Sequence, residues 1–213
     1  MRLIFRLIKK LAHWFYHLSI LGLSKGPHIT RYQMYLEISK FHQTRDKDLK
    51  VLSISGSQFL AKSLGFADHQ ILDVAYPEYN VLKLPFKDGE FDAVVSDQVL
   101  EHIEGDPQQA INEMMRVLKP NGISLQTTCF IYPVHAYPGD YWRFTPEALQ
   151  YLVKNHGEIL EVKGWGNPFV WLFVALGLQY QPIPNTRWHP AHWLATKNTK
   201  SWPIVTWVLV KKK

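Results

Sequence analysis

Residues 91–122 read FDAVVSDQVLEHIEGDPQQAINEMMRVLKPNG, and the order of residue types along this stretch decides the fold. Ala93, Val94 and Val95 form a short apolar run suited to a strand covered on both faces, and it stops at polar Ser96, Asp97 and Gln98. That polar crest therefore marks the carboxyl end of a strand. Asp106 followed by Pro107 is an N-cap with a proline at the first helical position, and Ala110, Ile111, Met114, Val117 and Leu118 recur behind it at helical spacing. Lys119, Pro120, Asn121 and Gly122 stop the helix, and the strand-like ISLQT of residues 123–127 follows. A strand–helix–strand unit of this size predicts parallel neighbours, hence an α/β, doubly wound, mostly parallel sheet.

The longer run LPFKDGEFDAVVSDQVLEHIEGDPQQAINEMMRVLKPNG, residues 84–122, resembles the central block of the class I S-adenosylmethionine-dependent methyltransferases of type 11. The usual text there is Leu-Pro-Phe, Phe-Asp, Leu-Glu-His and Arg-Val-Leu-Lys-Pro-Gly-Gly. The likeness continues through Tyr132-Pro133-Val134-His135 and DYWRFTP, residues 140–146. It implies a Rossmann-like sheet of seven strands closed by a C-terminal antiparallel pair, S-adenosyl-L-methionine as cofactor, and methyl transfer to a small acceptor.

The segment VLSISGS, residues 51–57, stands where that family places its first motif, a strand entering a glycine-rich turn. Small residues are required because the backbone approaches the ligand closely and a helix starts with free N–H groups. Only Gly56 is a glycine here. Ser55 and Ser57 occupy usual glycine positions, and Ser53 stands where an acid commonly ends the strand. Asp73, near the end of a strand over 69–74, is implied as the acceptor for the ribose hydroxyls, with a turn aspartate as the alternative. Six residues separate Asp73 from Asn80, too few for a crossover helix, so that helix is expected to be missing and the third strand, 79–82, a short edge. Asn80, with Val81 beside it, stands where relatives carry the Asp for the adenine amino group. An amide oxygen can take that role, or Asn80 is a turn residue. Leu82 and Leu84 would flank the adenine or belong to the core, and Ser96, Asp97 and Gln98 would face the methionine end.

The loop over 130–145 follows the next strand and gathers Tyr132, His135, Tyr137, Asp140, Tyr141, Trp142 and Arg143. Ligands of doubly wound sheets bind at the carboxyl ends of strands, so this loop is expected to form the acceptor wall, with Tyr137, Asp140, Trp142 and Arg143 touching substrate. Such residues suit a polyhydroxylated or ring-shaped substrate, and they equally suit a loop packed on itself. A hydroxyl acceptor needs a base, and His135 is chosen because imidazole titrates near neutrality. His102 reads as structural. The expected reaction is O-methylation of a saccharide or lipid-linked intermediate. Two alternatives stay open: a peripheral membrane enzyme methylating a quinone or isoprenoid lipid, and a non-catalytic binding protein that keeps the fold.

At 213 residues the chain supports one domain with extensions. The expected division is 1–48, an amphipathic helix, linker and capping helix, and 49–213, the methyltransferase-like domain with a tryptophan-rich insertion at 165–200. All 18 acids lie between Glu37 and Glu161, beside 11 of the 24 Lys and Arg, so the middle carries −7 and the two ends +13. An acidic centre with basic ends argues against nucleic acid and for termini that face an anionic surface. Residues 1–20 put Leu3, Ile4, Leu7, Ile8, Leu11, Trp14, Phe15 and Leu18 on one helical stripe and basic residues opposite. That pattern suits an in-plane membrane anchor, or a helix packed over its own cleft. The single cysteine, Cys129, excludes an internal disulfide, reads as a packed thiol and fits the cytoplasm, with any membrane contact at its inner face. The ten histidines are scattered, and no metal is expected.

Overall fold

The structure, a computed structural model, describes residues 2–42, 48–135 and 138–213. The chain opens with α1 (Arg2–Ser19), β1 (Lys25–His28) and α2 (Ile29–Ile38), then alternates through β2 (Val51–Ile54), α3 (Gln58–Ser63), β3 (Ile71–Val74), β4 (Phe91–Asp97), α4 (Pro107–Val117) and β5 (Leu118–Cys129). It ends with α5 (Pro146–Val153), β6 (Gly157–Trp165), α6 (Val170–Ala175), β7 (Pro182–Pro184), α7 (Pro190–Thr196) and β8 (Val205–Lys212).

The main sheet has the order β3-β2-β4-β5-β8-β6. β3, β2, β4 and β5 run parallel, and β8 lies antiparallel between β5 and β6. Six strands form it rather than the seven expected. The predicted edge strand over 79–82 is a turn: Tyr79 N–H donates to Ala75 O, Lys83 N–H to Asn80 O, and the Asn80 side chain accepts from Leu82 N–H. Backbone groups satisfied within so short a connection are not offered to a sheet edge. The missing crossover helix is as expected, since residues 75–90 hold turns only.

β4 shows why the sheet is covered on both faces. Ala93 and Val95 point into the cluster containing Val51, Leu60, Leu125 and Trp207, while Phe91 and Val94 point into the cluster of Leu52, Ile111, Met114 and Val208. All of these are nearly or fully buried, and each large one contributes about 1.5–3 kcal/mol relative to exposure. α4 begins as its sequence dictates, with Asp106 accepting from Gln108 N–H at 2.9 Å and Pro107 at the first position. It ends one residue earlier than its periodicity suggests. Leu118 already belongs to β5, which bulges at Asn121 (φ 63°) before pairing with Ala93 at Ile123.

The segment over 22–30, read as a linker, contains β1, which pairs antiparallel with β7 of the tryptophan-rich insertion. α1 docks on the same insertion. Tyr16 OH donates to Pro182 O at 2.9 Å, its ring meets Phe173 edge-on, and His13 Nε2 bonds Gly177 O at 3.0 Å. The apolar stripe stays outside: Ile4, Leu7, Ile8, Leu11, Trp14, Phe15 and Leu18 are 45–62% exposed. Among the described residues no helix is long and apolar enough to cross a membrane.

Candidate functional site

The tips of β2, β3 and β4 surround a cleft of about 650 Å³. Ile54 and Ser55 line it from β2, Ala75 and Tyr76 from beyond β3, and Gln98, Val99, His102, Ile103 and Glu104 from beyond β4, with Tyr79, Asn80, Val81, Leu82, Pro138 and Tyr141 closing the sides. The β2 turn takes left-handed backbone at Ser55 (φ 56°) and Gly56 (φ 80°). A Cβ built on Gly56 meets nothing within 4 Å, so the turn keeps open space where a ligand would approach the backbone. Asp73 is tied to this turn, its Oδ1 accepting from Ser53 Oγ at 2.5 Å and from Gly56 N–H at 3.1 Å. Its Oδ2 has no partner among the described residues, which suits a diol acceptor. A nucleoside cofactor therefore fits the residues present.

The structure divides the expected cofactor residues. Ser55, Asn80, Val81 and Gln98 line the cleft, as does Leu82, whereas Gly56 and Asp73 are joined to each other beside it and Leu84 is core. Asn80 spends its side-chain oxygen on its own turn, and Val81 sits beside it. Ser53 and Ser57 are buried and act on the backbone: Ser53 fixes Asp73, and Ser57 donates to Ile54 O and accepts from Asp97 N–H at 2.7 Å. Ser96 is buried with an unpartnered hydroxyl and does not reach the cleft. These three correct the expectation that the serines cradle the ligand directly: Ser53 and Ser96 lie in strands with both faces covered, and Ser57 at the start of α3 spends its hydroxyl on Ile54 O and Asp97 N–H.

Asp97 also differs from expectation, because its carboxylate is consumed within the protein. Oδ2 accepts from Arg31 Nε at 2.9 Å and from Tyr35 OH at 2.6 Å, and Oδ1 accepts from Thr127 Oγ1 at 2.5 Å. Arg31 and Tyr35 lie one turn apart on α2, so this helix is clamped onto the crest. Burial and the neighbouring Asp97 push the Tyr35 phenol far up. Sequence reasoning missed Arg31 and Tyr35; the only local signal was an Arg and a Tyr four residues apart on one helix.

The loop after β5 is held largely by its own polar residues. Arg143 forks onto Asp140 and also donates to the carbonyls of Tyr132, Pro133 and Trp142, while Asp140 accepts His135 N–H at 2.8 Å. Arg143 holds the Asp140 carboxyl well below the usual range. Trp142 Nε1 donates to Ile103 O at 2.9 Å. Asp140, Trp142 and Arg143 thus shape the loop, and the self-packed alternative describes them better than direct substrate contact. Tyr137 lies outside the described residues. His135 is half-buried and meets His102 at 5.0 Å between ring centroids; His102, read as structural, lines the cleft. Glu101, wholly buried, accepts from Thr128 Oγ1 at 2.8 Å, and burial drives its carboxyl upward. Cys129 is the packed thiol expected, pushed up to about 12 by burial and by Glu101.

Residues 40–125 match the family described as methyltransferase domain. The match spans about two-fifths of the chain, and it marks the stretch from just past α2 through β4 and α4 into β5 as similar to a methyltransferase domain. Norajmaline N-methyltransferase of Rauvolfia serpentina is 38% identical over 64 residues, 30% of this chain and 20% of that enzyme, so the chain spans about a fifth of the length of this curated relative. Among solved structures, the [4+2]-cyclase SpnF superposes with a TM-score of 0.53 at 16% identity, over 84% of this chain and 79% of that one. Geranyl diphosphate C-methyltransferase of Streptomyces coelicolor, solved with Mg2+, geranyl diphosphate and S-adenosyl-L-homocysteine, gives 0.53 at 12% identity, over 84% and 78%. At these identities the structures share the fold, and one of them is a cyclase.

Proposed function

We propose that this protein transfers the methyl group of S-adenosylmethionine to a hydroxyl oxygen of a small saccharide or lipid-linked acceptor, working at an anionic membrane surface. The observation that carries the transferase reading is the cleft at the tips of β2, β3 and β4, walled by Ser55, with the open space at Gly56 next to that residue and an Asp73 carboxylate, one oxygen to spare, held by Gly56 N–H. Asp73 would take the ribose hydroxyls, Asn80 and Val81 would border the adenine, and Ser55, Gly56 and Gln98 would face the methionine portion.

When bound, S-adenosylmethionine supplies an electrophilic methyl group on a sulfonium. The protein's part is to align an oxygen with that carbon, exclude water and take the hydroxyl proton. His135 keeps Nδ1 on Pro133 O at 3.1 Å and His102 keeps Nδ1 on Gly139 O, so the Nε2 of either imidazole is the basic atom. His135 remains the base read from the sequence, and His102 joins it from the cleft wall.

The membrane reading is supported by the exposed stripe of α1, the acid-free N-terminal 36 residues and the exposed Phe169, Leu172, Trp188 and Trp193 of the insertion on which α1 docks. Titration calorimetry with S-adenosylmethionine and S-adenosylhomocysteine tests the cofactor; no heat at millimolar ligand removes the transferase reading. Sedimentation with phosphatidylglycerol vesicles tests the surface. The full chain should pellet and an Ile4→Ser, Leu11→Ser, Phe15→Ser triple variant should stay in solution; equal pelleting refutes the anchor.

A further inference from the structure

Glu101 and His102 beyond the tip of β4 and His135 beyond β5 bring one metal-ligating atom each to within 4.8 Å of the others. We infer that Glu101, His102 and His135 bind a divalent transition-metal ion of the Zn2+ or Fe2+ type on the acceptor side of the cleft. This deepens the proposed function, since it rests on reading that side of the cleft as the place of the acceptor oxygen.

Glu101 is wholly buried; Oε2 accepts from Thr128, and Oε1 has no hydrogen-bond partner among the described residues. Leaving a buried carboxylate oxygen without a donor or cation is costly. The nearby guanidinium groups do not relieve it, because Arg31 is engaged by Asp97 and Arg143 by Asp140. Cys129 beside it offers only a weak S–H donor.

His102 holds Nδ1 against Gly139 O, and His135 holds Nδ1 3.1 Å from Pro133 O and 3.3 Å from Asp140 Oδ2. A ring nitrogen facing such acceptors carries the proton, which fixes the tautomer and leaves Nε2 as a lone pair. Metal-binding histidines are held by outer contacts of this kind. Asp140, whose charge Arg143 secures, is then an orienting residue for His135.

Two imidazoles and one carboxylate suit borderline divalent ions and leave coordination positions open. A tetrahedral site with bonds of about 2.0 Å has ligand atoms about 3.3 Å apart, against the 4.8 Å within which these atoms lie, and the two half-buried rings are the groups that would draw in around an ion. His102 lines the cleft, so the open positions face the acceptor. With an ion bound, a hydroxyl on it would lose its proton more readily; that proton would pass to water, the oxygen would take the methyl, and the imidazoles that act as bases without the ion would serve as its ligands.

The test uses the full-length chain stripped with a chelator, titrated calorimetrically with ZnCl2 and followed in the visible spectrum with CoCl2. One ion per chain is expected, with a Kd of about 1 μM or tighter and d–d bands from bound Co2+. His102→Ala and His135→Ala should each weaken binding by more than the roughly 10–100-fold that loss of an outer-shell partner costs. His156→Ala, whose ring bonds Asn112 instead, should not. Glu101→Gln tests the carboxylate, and if it fails to fold the two histidine variants decide. Uptake of neither ion at about 1 mM, or binding that survives both histidine substitutions, overturns the site. Titrating the same preparations with S-adenosylhomocysteine separates the two readings: nucleoside binding without metal refutes the metal site and keeps the transferase, and metal binding without nucleoside does the reverse.

Discussion

Arg31→Met isolates the clamp between α2 and the crest. In the intact protein Asp97 accepts three hydrogen bonds, from Arg31, Tyr35 and Thr127, and the two charged side chains are only 18% and 10% exposed. Removing one partner of a buried pair costs about 3–5 kcal/mol, because the other charge stays behind. The two hydroxyl donors left to Asp97, and its small remaining exposure, place this case near 3 kcal/mol, or a fall of about 6–12 °C in Tm for a chain of this size. The clean readout is a double-mutant cycle with Asp97→Asn in urea denaturation. A coupling of about 1.5–3 kcal/mol is expected for a charge-assisted bond. The same variant should weaken S-adenosylhomocysteine binding, since Asp97 adjoins Gln98 in the cleft wall. A coupling below about 0.5 kcal/mol would put the pair in the class of solvated surface contacts and refute the clamp.

The remaining expectations need one variant or one reagent each. Gly56→Ala should cost the fold about 1 kcal/mol at its positive φ and weaken S-adenosylhomocysteine binding at least about tenfold, whereas Gly22→Ala, at φ 73° with equally open surroundings, should cost stability alone; equal binding by both variants refutes the cradle. Burial, reinforced by Arg31, lowers His28 to about 4, so the fold favours the neutral ring. Its contribution is intact above about pH 6.5 and is lost as pH falls toward 4, up to about 3 kcal/mol, and the stability difference from His28→Phe should be flat above that window and change within it. Cys129, buried and raised to about 12, should resist a disulfide reagent at pH 8 in the native chain and react fully in urea; rapid native labelling would contradict the packing.

What the sequence made legible follows from how local each signal is. The β4–α4–β5 unit could be read because its strand run, N-cap and helical period all lie within residues 91–127, and each is a contact between neighbours in sequence. The same locality made the end of β3 and the missing crossover readable, since both depend on counting residues along the chain. The third strand was misread because strandhood is decided by a partner, and the side chain of Asn80 closed the turn on itself first. The clamp and the Glu101–His102–His135 cluster were invisible for the opposite reason. Arg31 meets Asp97 across 66 positions, and His135 meets His102 only after β5 returns its loop to the crest. Spacing in sequence carries no trace of either.

The glycine-poor turn shows how counting residue types can mislead where backbone conformation is the real requirement. Ser55 adopts φ 56° and Gln98 φ 59°, left-handed values that cost a non-glycine residue of order 1–3 kcal/mol and persist only where the surroundings impose them. Those surroundings are identifiable. Ser55 N–H donates to Val74 O at 2.6 Å, joining the β2 turn to the end of β3, and Gln98 N–H donates to Thr127 O at 3.0 Å, joining the β4 crest to β5. Ser53 and Ser57, at positions where an acid and a glycine are usual, then fix Asp73 and the Asp97 backbone from beneath. A serine network thus holds the conformation that glycines would merely permit, and Gly56 is kept where the turn runs at φ 80° through open space. On this argument Ser55→Gly should leave the cleft working and relieve strain, while Ser57→Gly, which deletes the hydroxyl under Asp97, should loosen the crest although it moves the sequence closer to the family text.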